Sequence, residues 1–151
     1  MRHSRHGRPR GVVGAALAAL GKAGLRVVSA SPVLTTAPLG PSRRRYANAA
    51  ALVETALAPD ALLAALKRIE HDFGRQVRGP RWGARVLDLD IVLWSGGCRA
   101  SDPLTVPHPA FRHRDFVLKP ASVIAPDWRD PLTRLTIRHL RARLTRPRPR
   151  S

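Results

Sequence analysis

The sequence predicts an α+β fold: a ferredoxin-like α/β sandwich with a central antiparallel sheet whose first strand is absent. The hydrophobic periodicity runs helix, strand, strand, helix, strand, which is a β-α-β-β-α-β unit without its opening strand. The chain has 151 residues, of which 44% are hydrophobic. That length and composition fit one domain with a core of its own.

In the first half of the chain, an Ala/Leu-rich stretch from residue 11 to about residue 23 predicts a helix closed by Gly24. Residues 25–40 are rich in β-branched side chains and predict a strand that runs into a loop at Pro38. Residues 46–55 predict a second strand, although their alanines would suit a helix equally well.

In the second half, residues 58–74 predict the clearest helix, with Pro59 near its start, leucines along one face and a glycine at its end. Residues 85–94 predict the next strand. Residues 104–126 predict a short strand, a connection broken by prolines and a helix, and residues 136–144 predict a terminal helix.

The charge balance is strongly basic, with 27 Lys and Arg against 10 Asp and Glu and a net charge of +17. It is concentrated at the ends, where residues 1–10 predict a basic arm and residues 146–151 a basic, disordered tail around a domain at 11–145. Such a balance indicates polyanionic partners: nucleic acid, anionic lipid or a phosphate-bearing small molecule. The apolar stretches are too short to span a bilayer, and the single cysteine excludes an internal disulfide, as expected in a reducing cytoplasm.

Two aspartates, Asp88 and Asp90, interrupt the apolar run of the predicted strand at 85–94. Because side chains alternate along a strand, both aspartates share one face and the leucines share the other. Their Cα atoms would lie roughly 7 Å apart, so both carboxylates can converge on one or two Mg²⁺ ions that also bind substrate phosphates. The alternative is that either aspartate pairs with Arg81 or Arg85 on a solvated face.

The segment 104–116 carries histidines and arginines that suit phosphate binding, although histidines beside prolines are often structural. The sequence has no histidine spacing typical of zinc sites, no P-loop and no G-x-G-x-x-G motif. A nucleotide would therefore be bound through arginine side chains and a metal ion.

Three segments resemble one known family. "RWGARVLDLDIVLW" (81–94) is similar to the R-W-G-P-R-x-L-D-L-D-[IL] signature of 6-hydroxymethyl-7,8-dihydropterin pyrophosphokinase. "TAPLGPSRRRYANAAALVET" (36–55) resembles the T-x-P-[LV]-G-x(n)-Y-x-N segment of that family, and "LTVPHPAFRHRDFVLKPASVIAP" (104–126) resembles its L-x-[IV]-P-H-x(5)-R-x-F-[VM]-L-x-P-L-x-x-I-A-P segment. The three motifs follow in the order of the family and cover about residues 25–128.

The resemblance implies an enzyme of folate biosynthesis that transfers the β,γ-diphosphate of ATP to the hydroxymethyl group of 6-hydroxymethyl-7,8-dihydropterin and releases AMP. ATP would be the co-substrate, and two Mg²⁺ ions would be held by Asp88 and Asp90. We expect a cytoplasmic monomer without membrane association.

Carried over by motif position, the resemblance assigns further roles. The catalytic residues would be Asp88, Asp90, Arg75 and Arg85. The ATP site would comprise Arg75, Arg78, Trp82, Arg85, Thr105, His108 and Arg114. The pterin site would comprise Thr36, Leu39, Tyr46, Asn48, Trp82 and Phe116, with the ring between Tyr46 and Phe116.

The chain departs from the family pattern in several places. The family opens with a strand ending in G-S-N, which this sequence lacks, and an upstream start is expected. Ala84 replaces the proline of the signature, and Ala37 and Pro109 stand where the family commonly has other residues. The alternatives are a truncated or weakly active relative, a basic nucleic-acid-binding module, or another Mg²⁺-dependent phosphotransferase acting on a related heterocycle.

Overall fold

The chain combines helices with short antiparallel strands, which confirms the α+β class. The computed structural model describes residues 9–36, 46–76 and 87–147. The helices are α1 (Pro9–Lys22), α2 (Pro59–Gln76), α3 (Asp115–Ile124) and α4 (Ile137–Thr145), with a 3₁₀ turn at Phe111–His113. The strands are β1 (Arg26–Ala30), β2 (Leu34–Thr36), β3 (Tyr46–Asn48), β4 (Ala51–Glu54), β5 (Arg99–Ser101) and β6 (Leu104–Val106).

Helix α1 ends at the glycine predicted to close it. The φ angle of Gly24 is +86°, and its N–H donates to the Gly21 carbonyl at 3.1 Å. The N–H of Leu25 donates to the Leu20 carbonyl at 3.1 Å, which completes a Schellman motif. Leu20 and Leu25 are both buried in the same core cluster, so the cap turns the chain directly from α1 into β1.

The two strands predicted at 25–40 and 46–55 form one bent antiparallel hairpin. β1 pairs with β4 and β2 pairs with β3. Where the ladder breaks, the Ser31 N–H donates to the Ala50 carbonyl at 2.8 Å and the Ala50 N–H donates to Ser31 Oγ at 2.9 Å. The buried Ser31 thus supplies hydrogen-bond partners for the backbone at the bend. The strands β3 and β4 confirm the strand interpretation of 46–55.

The first core lies between α1 and α2. Helix α2 begins at Pro59 as predicted and continues to Gln76, two residues past the glycine that was expected to end it. The hairpin and residues 87–91 also pack against this core. The buried residues of this cluster are Val12, Ala16, Leu20, Leu25, Leu66, Ile69 and Phe73.

Residues 87–93, the centre of the strand predicted at 85–94, join no strand ladder within the described residues. The predicted alternation is nevertheless present: Leu87, Leu89 and Ile91 pack on the first core, whereas Asp88 and Asp90 are exposed. The backbone of this segment is hydrogen-bonded to the side chain of Glu70 and to the backbone of His108, in the loop after β6.

The second core lies in the C-terminal half. The 3₁₀ turn, α3 and α4 enclose Phe111, Leu118, Ile137 and Leu140, each at most 6% exposed. Val92 and Leu93 pack against this cluster, so the segment 87–93 runs from the first core to the second. None of the described helices combines the length and the apolar character needed to cross a membrane.

Candidate active site

The aspartate pair lies on the exposed face of the segment that joins the two cores. The Leu89 N–H, between the two aspartates, donates to Glu70 Oε2 on α2 at 2.6 Å. The Glu70 side chain is 14% exposed, and its other oxygen pairs with Lys67 Nζ at 3.2 Å. Glu70 therefore holds the peptide that carries both carboxylates. Sequence reasoning missed this residue, since no local motif marks a carboxylate whose partner lies 19 positions away.

His108 approaches the aspartates from the loop after β6. The backbone N–H of His108 donates to the Val92 carbonyl at 3.0 Å, and its ring Nδ1 accepts from the backbone N–H of Ala110 at 3.2 Å. Because Nδ1 is an acceptor, the proton of the neutral ring is on Nε2. This nitrogen lies 3.9 Å from Asp90 Oδ2, and the two side chains are 25% and 54% exposed. The structure thus brings together two residues that the sequence placed in separate motifs.

Arg114 and Phe116 lie where the 3₁₀ turn passes into α3. The Arg114 carbonyl accepts from the N–H groups of Val117 and Leu118, each at 3.0 Å. Its guanidinium carbon lies 5.6 Å from the centroid of the Phe116 ring. Phe116 is 44% exposed, and within the described residues no carboxylate pairs with Arg114. An exposed aromatic residue beside a guanidinium that pairs with none of the described carboxylates suits a planar, anionic ligand.

A buried ion pair lies beneath this junction. The guanidinium of Arg112 donates to both carboxylate oxygens of Asp130, at 2.7 Å for Nη2 to Oδ1. Asp130 is 0% exposed and also accepts from Thr133 Oγ1 at 2.7 Å and from the Leu132 N–H at 3.1 Å. The Arg112 hydrogen bonds, aided by those of Thr133 and Leu132, lower the pKa of Asp130 to about 2 against the opposing effect of burial. Sequence reasoning missed this pair as well, because its members are 18 residues apart.

Other predicted residues lie on neighbouring elements. Asn48 is half-buried on β3, opposite Leu34 of β2, and β3 contacts α3, the helix that carries Phe116. Thr105 is exposed on β6, between two buried residues, and the structure records no hydrogen bond from it to the other described site residues.

The remaining predicted residues are located only in part. The Cα atoms of Thr36 and Tyr46 face each other across the β2–β3 ladder, and Arg75 lies in the last turn of α2. The predicted residues Leu39, Arg78, Trp82 and Arg85 lie outside the described residues.

The donor set determines which metal the aspartates suit. Within the described ranges, no group of three or more His, Cys, Asp or Glu side chains is arranged to hold a metal ion. Asp88 and Asp90 offer exposed carboxylate oxygens from one face of the segment. Mg²⁺ prefers oxygen ligands and commonly takes one or two from protein carboxylates and the rest from water and substrate phosphates. The residues present fit Mg²⁺ shared with a substrate.

Comparison with known proteins places these residues in a family. The chain is 39% identical over 115 residues to 2-amino-4-hydroxy-6-hydroxymethyldihydropteridine pyrophosphokinase of Synechocystis sp., covering 76% of this chain and 58% of that protein. It is 46% identical over 107 residues to the protein of that name from Pseudomonas aeruginosa, covering 70% and 65% of the two chains. For the Haemophilus influenzae protein the identity is 44% over 102 residues, covering 67% and 63%.

The aligned regions thus span about three fifths of the length of these relatives. Residues 4–126 match the family described as 7,8-dihydro-6-hydroxymethylpterin-pyrophosphokinase (HPPK), and this range includes the Asp88–Asp90 segment, His108, Arg114 and Phe116. The chain belongs to the 7,8-dihydro-6-hydroxymethylpterin-pyrophosphokinase family.

Proposed function

We propose that this chain transfers the diphosphate of ATP to the hydroxymethyl group of 6-hydroxymethyl-7,8-dihydropterin and releases AMP, a step of folate biosynthesis. The observation that carries the proposal is the exposed Asp88–Asp90 pair with His108 Nε2 at 3.9 Å from Asp90, within a region that matches the family. Transfer of a phosphoryl group depends on positioning and on neutralising charge, and a strong base is not needed.

Asp88 and Asp90 would hold two Mg²⁺ ions. Bound there, the ions would neutralise phosphate charge and bring the phosphates and the acceptor hydroxyl into line. Glu70 supports this role indirectly, because its hydrogen bond to Leu89 keeps both carboxylates on the exposed face.

Arg114 and His108 would bind the phosphates of ATP. Arg114 has no carboxylate partner within the described residues, so its charge is available to phosphate oxygens. His108 can donate from Nε2 on the side that faces Asp90. The further proposed ATP-binding residues are Arg75, Arg78, Trp82, Arg85 and Thr105, of which Arg75 and Arg85 would act in catalysis.

The pterin would lie against Phe116. Phe116 is 44% exposed, which leaves area for stacking a planar heterocycle. Asn48 lies on β3, which contacts α3, and offers an amide to the edge of the pterin. Tyr46 would cover the opposite face. Thr36, Leu39 and Trp82 complete the proposed pterin site.

The finer architecture and the setting of the enzyme are also proposals. The packing of the β1–β4 hairpin and of residues 87–91 on the same two helices supports a ferredoxin-like sandwich. The absence of a first strand stays a prediction. A reducing, cytoplasmic setting is supported by the free, exposed Cys98. The monomeric state stays a prediction.

The test is AMP formation from ATP and 6-hydroxymethyl-7,8-dihydropterin with and without Mg²⁺. We expect wild-type activity to require Mg²⁺ and Asp90→Asn to reduce kcat at least about a hundredfold. Glu54→Gln, which also removes one exposed carboxylate, is the matched control and should retain activity.

Full activity of Asp90→Asn would contradict the metal assignment. A wild-type chain that makes no AMP, but binds RNA with a steep salt dependence that Asp88→Ala and Asp90→Ala leave intact, would favour the nucleic-acid-binding alternative.

A further inference from the structure

We propose that residues 127–147 position Arg114 and Phe116 for their ligands through two ion pairs, Arg112–Asp130 and Asp115–Arg141. This inference rests on the proposed function and extends it to a part of the chain beyond the family match, which ends at residue 126. Asp130 and Arg141 touch no substrate in this proposal: they act through Arg112 and Asp115, the residues on either side of Arg114.

The first pair holds the 3₁₀ turn. Arg112 is the central residue of that turn, and its side chain is 19% exposed while Asp130 is 0% exposed. Two parallel hydrogen bonds join the planar guanidinium to the carboxylate, a geometry that fixes orientation as well as distance. The guanidinium carbon also lies 4.7 Å from the centroid of the Phe111 ring, whose residue is 1% exposed. Rotation of the turn would break both contacts.

The loop that presents Asp130 is itself closed by backbone hydrogen bonds. The Asp130 N–H donates to the Leu135 carbonyl at 2.8 Å, and the Arg134 N–H donates to the Asp130 carbonyl at 2.7 Å. The Ile137 N–H, at the start of α4, donates to the Trp128 carbonyl at 2.9 Å. The backbone of Asp130 is therefore held in place by this loop, and its carboxylate holds the 3₁₀ turn through Arg112.

The second pair holds the first residue of α3. Arg141 Nε of α4 donates to Asp115 Oδ1 at 3.1 Å, and the two side chains are 36% and 45% exposed. Since exposed pairs contribute little to stability, its value would lie in orientation. Asp115 stands between Arg114 and Phe116, so this contact sets the direction in which both side chains leave the backbone.

Together the two pairs anchor residues 112 and 115, with Arg114 between them. They use the charges of Arg112 and Asp115, whereas Arg114 keeps its charge without a partner among the described carboxylates. A ligand-binding side chain that is already oriented loses less conformational freedom on binding. We therefore expect the pairs to raise ligand affinity beyond what they add to the stability of the fold.

The experiment compares Asp130→Asn and Arg141→Gln with the control Asp127→Asn. The control removes an exposed pair of the same chemical type from the same segment, Asp127–Arg138 at 3.2 Å, which shares no residue with the two proposed pairs. The first readout is the dissociation constant of a non-hydrolysable ATP analogue with Mg²⁺, measured by calorimetry. The second readout is hydrogen exchange at the amides of Val117 and Leu118, which donate to the Arg114 carbonyl.

We expect Asp130→Asn to weaken binding of the analogue about tenfold, because Arg114 is then no longer held in position and must be ordered on binding. Exchange at Val117 and Leu118 should quicken more than exchange in α1, where only the change in global stability acts. Arg141→Gln should show the same pattern more weakly and serves if Asp130→Asn does not fold. Asp127→Asn should match the wild type in both measurements.

The inference is overturned if Asp130→Asn and Arg141→Gln bind the analogue as tightly as Asp127→Asn, or if exchange quickens equally in α1 and α3, which would indicate general destabilisation. A failure of the proposed function looks different: the wild type would then make no AMP. The exchange comparison still tests the positioning in that case, because it needs no activity.

Discussion

The hydrogen bond from the Leu89 N–H to Glu70 makes a defined prediction for stability. The distance from Leu89 N to Glu70 Oε2 is 2.6 Å, in a part-buried position. In Glu70→Ala the Leu89 N–H loses this acceptor. An unsatisfied buried donor costs about 1–3 kcal/mol. The lost pair with Lys67, whose side chain is 53% exposed, adds only about 0.3–0.5 kcal/mol. We therefore expect a loss of about 2 kcal/mol in the free energy of unfolding.

The assay is urea unfolding followed by circular dichroism, with Lys67→Ala as the matched control. Lys67→Ala removes the same ion pair and leaves the Leu89 bond intact, so it should cost no more than about 0.5 kcal/mol. Glu70→Gln keeps an acceptor oxygen and should fall between the two variants. If Glu70→Ala and Lys67→Ala are equally stable, the bond to Leu89 contributes nothing and the reasoning is refuted.

Two further predictions concern α1 and the buried aspartate. Gly24→Ala should destabilise the protein by about 1 kcal/mol because the φ angle at Gly24 is +86°. Gly21→Ala, within helix α1, should instead stabilise it by about 0.5–1 kcal/mol. An added Cβ meets no atom within 4 Å at either position, so equal effects of the two variants in thermal melts would contradict a backbone cause. The pKa of Asp130 is lowered from 3.8 to about 2, so the native state binds fewer protons than the unfolded state between these values. The resulting stabilisation, about 2 kcal/mol, is present above pH 4 and is lost as the pH falls toward about 2. Asp130→Asn should therefore differ from the wild type more at pH 6 than at pH 2 in urea titrations, and a constant difference would oppose this assignment.

Features that depend on residues close together in the sequence could be predicted from it. The buried positions Val12, Ala16 and Leu20 recur at helical spacing, and Gly24 follows where the chain must take a positive φ angle. The alternation of leucine and aspartate at 87–91 was also readable, since strand-like side chains point to opposite faces whether or not a ladder forms. The order of the motifs was sufficient to predict the family.

The contacts that assemble the site were decided only by the tertiary structure. Glu70 reaches Leu89 across 19 residues, and Arg112 reaches Asp130 across 18. His108 meets Asp90 because its backbone is bonded to Val92. Such contacts depend on the path of the chain through two cores, which local periodicity does not specify. The sequence by itself therefore determined most of the elements and the chemistry they carry. Packing decided that residues 87–93 form no ladder within the described residues, which charges pair and which stay available to a ligand.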